Sequence, residues 1–227
     1  MSPSPSLSPT PLPTPSRVAP SSTRSPSAPA TRPVAAVAYP ERGSGSFTEV
    51  TTGGKVLGTA GTLRRFRVAV EGGTGQNVGA FAAEVDAVLG DSRSWVAGRS
   101  LRLQRVPKGE AAEFTIYLAT PATSERMCAV GGLNTEGYTS CRLPGQVIIN
   151  LARWLTAVPD YGAPVSTYRA YAINHEVGHQ LGQGHEACPA PGSPAPVMQQ
   201  QTYGLKGCLA NAWPYLAGRR HSGPAIP

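Results

Sequence analysis

The 227-residue chain has only three aspartates, three lysines, three methionines, four histidines and four cysteines. No apolar run approaches the about 20 residues of a membrane-spanning helix, which excludes a helical channel or transporter. Its net charge of +7 comes from scattered arginines; only Arg64, Arg65 and Arg67, and Arg219 with Arg220, lie close together. No aromatic residues interleave with them, so no nucleic-acid partner is expected. The cysteines form no CxxC or CxC, which argues against a zinc knuckle. Residues 1–40 lack Gly, Asp, Glu, His and Cys altogether, yet hold 11 of the 23 prolines. Such a segment buries too little apolar surface to offset the entropy of ordering it. The expectation is a disordered Pro/Ser/Thr-rich stalk or linker over 1–40 and a single domain over 41–227. That domain carries 17 Lys and Arg against 13 acids, a modest net of +4.

The first 30 residues lack the basic start and apolar core of a signal peptide. Either the chain is not exported, or its start or anchor lies elsewhere. Cys128, Cys141, Cys188 and Cys208 favour the second reading, because their spacings of 13 and 20 suit disulfides. Three pairings are possible; Cys128 with Cys141 and Cys188 with Cys208 close the shortest loops and are preferred. An extracellular or cell-envelope location follows as an expectation, with a monomer as the simplest assembly.

Within the domain, GSFTEV and LRRFRVAVE alternate as strands do, the second placing Phe66, Val68 and Val70 on one face. VGAFAAEVDAVLG spaces Phe81, Val85, Val88 and Leu89 as one face of a helix, with Gly90 at its C-terminal cap. Strands are expected at 101–106 and 113–119, the latter facing Phe114, Ile116 and Leu118 one way. A glycine-rich stretch between Cys128 and Cys141 precedes a strand, QVIIN. The stretch ARWLTAVPDYGAPVS reads as a loop, leading to a helix capped by Ser166 and running from about Thr167 to Leu181. A short helix is conceivable near 205–213. GGTGQNVG at 72–79 has the wrong spacing for a nucleotide loop and reads as a turn. The pattern is α/β (α+β): one mixed, twisted sheet with two main helices.

Three of the four histidines fall in NHEVGHQLGQGHEAC, residues 174–188, which matches H-E-x-x-H-x-x-G-x-x-H. At 100° per residue, His175 and His179 lie on one helix face a turn apart, so both can reach a single ion. Ile173, Val177 and Leu181 form a stripe roughly opposite, suited to the core. Gly182 can take a left-handed conformation and swing the chain back, delivering His185 as a third ligand. Three protein ligands leave a position open for water, the arrangement of a catalytic rather than a structural zinc site. Glu176, rotated off the histidine face, can stand beside a Zn²⁺ ion without ligating it and act as general base and then acid.

HEVGHQLGQGH resembles the long zinc signature of the metzincin metallopeptidases, and APVM at 195–198 resembles their Met-turn. The resemblance implies a metzincin-like catalytic domain with the zinc site on the second helix and following loop. It implies His175, His179 and His185 as zinc ligands, Glu176 as general base and acid, and Met198 as the turn methionine. Where some metzincins carry a tyrosine two residues after that methionine, this chain has Gln200, and the nearest tyrosine is Tyr203. More widely, with DSRSW, CPAPGSPAPVMQQQT and NAWP, residues 41–215 resemble a family of exported actinobacterial proteins defined only as a domain of unknown function with metzincin-like features.

The expected activity is therefore zinc-dependent cleavage of peptide bonds in a peptide or protein substrate. Residues near Tyr138–Leu143 occupy the place of the metzincin edge strand and are expected to form the substrate rim. Two other readings stand beside it: a catalytically inactive zinc-containing binding module of the envelope, and a zinc amidase acting on cell-wall peptides.

Overall fold

The computed structural model describes Met1 and residues 37–226. Apart from Met1 and residues 37–40, the expected stalk lies outside the described residues. Among the described residues, four α-helices pack on a mixed sheet of seven strands.

The longest strand, β3 (Thr62–Glu71), is flanked in parallel by β4 (Leu101–Arg105) and β5 (Phe114–Ala119), and β5 is followed in parallel by β7 (Gln146–Asn150). The remaining pairs are antiparallel: β1 (Phe47–Glu49) on β3, β2 (Val56–Leu57) on β4, and β6 (Cys141–Leu143) on β7. Beyond these, β8 (Tyr215–Leu216) and β9 (Arg219–Arg220) make a small separate hairpin.

Strand alternation divides the sheet into two faces. Phe66, Val68, Val70, Phe114, Ile116 and Leu118 all enter the larger core, as their spacing in the sequence predicts, and Val147 and Ile149 of β7 join them. Helices α1 (Val78–Leu89), α3 (Leu151–Thr156) and α4 (Val165–Gln180) cover that face. Ile148, pointing the other way, joins Ala119, Leu143 and the Cys128–Cys141 disulfide in a smaller cluster beside α2 (Pro121–Ala129). Both preferred disulfides are present, the second joining Cys188 and Cys208.

Several elements correct the sequence reading. Helix α4 starts at Val165 rather than Thr167, because the Pro164 carbonyl accepts the Thr167 and Tyr168 amides and Ser166 falls inside the first turn. The expected loop after QVIIN begins with α3, capped where the Asn150 side chain accepts the Ala152 amide at 2.9 Å. Residues 121–127, for which the sequence reading has no element, fall in α2, with Pro121 preset for its first position; the helix ends at Ala129, where the glycine-rich stretch begins. No helix forms over 205–213; Gly207 has φ +91° there, and Leu209 exchanges backbone hydrogen bonds with Ser193 and Ala195. The two expected helices, α1 and α4, are the longest of the four.

Candidate metal centre

Helix α4 runs through the interior: Tyr168 and every residue from Ala170 to Gly178 are buried, so more than the predicted stripe is enclosed. Its flanks are tied down by polar contacts. The Trp95 indole donates to the Asn174 carbonyl at 2.8 Å, the Ser94 hydroxyl meets Asn174 Oδ1 at 2.8 Å, and Asn174 Nδ2 donates to the Ala212 carbonyl at 3.0 Å. DSRSW and NAWP, carrying only a resemblance in the sequence, thus both brace the histidine helix at Asn174. These braces were missed because no local spacing announces them.

The three signature histidines converge. His179 Nε2 lies 3.2 Å from His175 Nε2 and 3.1 Å from His185 Nε2. Gly182, at φ +88°, turns the chain out of α4 so that His185 returns to the cluster. The proton positions follow from the other ring nitrogens. His175 Nδ1 is 2.8 Å from the Val197 carbonyl and His179 Nδ1 is 2.9 Å from the Gln183 carbonyl. A carbonyl only accepts, so both Nδ1 atoms carry the proton and both Nε2 atoms present lone pairs.

Lone pairs facing one another repel unless a cation sits among them. Nitrogens at about 2.0–2.1 Å from a tetrahedral zinc would stand about 3.3 Å apart, close to the spacing found. The donor set therefore fits a metal ion. Burial, with neighbouring His179, drives His175 down to about 3, and burial also lowers His179 and His185, so the imidazoles are neutral at physiological pH.

Glu176, 7% exposed, shares a cleft of about 540 Å³ with the three histidines. Burial pushes its carboxyl up to about 8. The Cys141 and Arg142 segment of β6 lines the same cleft, as do Gln200 and Tyr203. Arg142 Nε donates to Gln180 Oε1 at 3.0 Å, joining the edge strand to the end of the histidine helix.

Beneath the site, Pro196–Gln199 make a tight turn closed by the Gln199 amide on the Pro196 carbonyl at 3.0 Å. Met198 is fully buried in it. Tyr171, a further residue without a sequence signal, locks this turn to α4: its hydroxyl donates to the Gln199 carbonyl and accepts the Gln201 amide.

Residues 34–213 match the family described as Protein of unknown function (DUF3152). The chain belongs to this family. No curated protein and no solved structure matches it. The metal cluster, the turn and both braces of α4 fall inside the family-matched span; the β8–β9 hairpin and residues 221–226 fall outside it.

Proposed function

We propose that this DUF3152 domain is a zinc-dependent hydrolase, and specifically a metallopeptidase of metzincin-like design. The observation that carries the reading is a buried carboxyl group, Glu176, in the same cleft as three convergent imidazole Nε2 atoms. A zinc ion held by His175, His179 and His185 would supply Lewis acidity for water attack on a carbonyl. Glu176 would take the proton of the attacking water and pass it to the departing amine. A nearby dication would offset the burial that raises this carboxyl, readying it as a base.

Substrate would lie along β6. This strand is the last of its sheet, paired on one side with β7, and its residues Cys141 and Arg142 line the cleft. An extended peptide adding there by backbone hydrogen bonds would pass over the histidines. The two disulfides are consistent with an extracellular protein.

The test compares wild type with Glu176→Gln on broad peptide libraries and on cell-wall peptide, with zinc content measured in both. Hydrolysis by wild type alone supports the reading, and preference for cell-wall peptide would assign an amidase. Equal, negligible turnover with zinc retained would leave an inactive binding module.

A further inference from the structure

The loop that carries His185 is held from outside the family-matched span. Residues 221–226 run back across it: the Ala187 amide donates to the Pro224 carbonyl at 2.8 Å, and the Ile226 amide donates to the His185 carbonyl at 3.1 Å. On its other side the loop is fixed by the Glu186 amide on the Met198 carbonyl at 3.1 Å. The close approach requires Gly223, because a Cβ there would collide with the Ala187 carbonyl and lie 2.9 Å from Pro196 Cγ.

Arg220 fastens the strap. Its Nη2 donates to Glu186 Oε1 at 2.8 Å, and its guanidinium lies 5.1 Å from the Trp95 ring, the same indole that hydrogen-bonds α4 at Asn174. Both partners of the ion pair are largely buried, with side chains 24% and 14% exposed. Loss of the cation would leave a carboxylate with little solvent directly after the third histidine.

We propose that Arg220 is a positioning residue of the metal centre, acting through Glu186 and the 221–226 strap to set where His185 stands. Two of the three ligands are carried by the helix; the third, on a loop, depends on this strap. Residues 220–226, outside the family-matched span, thereby hold the loop that carries the third ligand. The proposal rests on the histidines binding a metal, not on hydrolysis.

The experiment uses the full chain with Arg220→Gln, Arg220→Lys and Gly223→Ala, measuring zinc affinity by chelator competition. Cobalt(II) absorption reports ligand geometry, and amide exchange at Ala187 and Ile226 is followed without metal. Arg220→Gln and Gly223→Ala should weaken zinc at least tenfold, alter the cobalt spectrum and expose both amides, while Arg220→Lys recovers most of the affinity. Zinc affinity within twofold of wild type in both Arg220→Gln and Gly223→Ala overturns the proposal. Failure of wild type to bind zinc defeats the metal reading and this proposal together. Zinc weakened in the variants, with no hydrolysis by wild type, would uphold the positioning role and defeat only the hydrolase reading.

Discussion

His175 is anchored by the residue that precedes Met198: its Nδ1 donates to the Val197 carbonyl at 2.8 Å. The first ligand therefore inherits its orientation from the packing of a methionine that makes no contact with solvent. Met198→Ala should destabilise the fold by about 2–5 kcal/mol through the cavity it leaves. Because the Val197 carbonyl would lose its support, zinc affinity should fall about 10- to 100-fold, the range typical of disturbed outer-shell partners. Urea unfolding and chelator competition on the same preparation read the two effects separately.

Gly178 faces Met198 from α4, and a Cβ placed on it would lie 2.5 Å from Met198 Sδ and 2.7 Å from the Trp95 ring. Gly178→Ala gains helix propensity yet overfills this contact, and a net loss of about 1–3 kcal/mol is expected. Paired with Met198→Ala, the same change should be less harmful, since the smaller residue vacates the methionine's side of the contact while the Trp95 ring still crowds the new Cβ. A double-mutant cycle showing simple additivity would mean that the two sites do not share one contact.

The histidine triad was legible in the sequence because it is a local geometry: positions four apart on a helix, then a glycine that reverses the chain. The faces of β3 and β5 were legible for the same reason, through strict alternation. What supports the site was not legible. Trp95 reaches Asn174 across 79 positions and Arg220 reaches Glu186 across 34, and no spacing rule links residues so far apart. Helices α2 and α3 escaped for a different reason. The buried side of α2 includes Thr123, Ser124 and Cys128, which carry no apolar period, and α3 has only six residues.

Glu71 gives the fold a predictable response to acid. Its side chain, 1% exposed, accepts hydrogen bonds from the amides of Gly45 and Thr120 and from the hydroxyls of Thr120 and Thr123, tying β3 to the start of α2. Burial raises this carboxyl, but the Thr123, Thr120 and Gly45 hydrogen bonds together hold it below its ordinary 4.5. A carboxyl lowered on folding contributes stability above its unfolded pKa, and that contribution disappears as pH drops through the folded value. Glu71→Gln should thus lose about 2–3 kcal/mol at pH 7. The gap to wild type should narrow as pH falls below the ordinary 4.5 toward the lowered folded value, and denaturant midpoints measured from pH 7 to 3 check the trend.

The Cys188–Cys208 disulfide encloses the Pro196–Gln199 turn within a loop of sequence separation 20, and Cys188 stands three residues beyond His185. Closing a loop of that size restricts the unfolded chain and contributes about 3 kcal/mol. Its removal also frees the segment on which Val197 and Met198 sit. The Cys188→Ser/Cys208→Ser variant should unfold at lower denaturant by about that amount and bind zinc more weakly than wild type. A Cys128→Ser/Cys141→Ser variant ties its loss to α2 and β6 instead; β6 borders the cleft, but the carbonyls that hold His175 and His179 belong to Val197 and Gln183, so its zinc affinity should change less for a similar loss of stability. Equal losses of zinc affinity in the two variants would mean that global stability, not the local loop, governs the metal site.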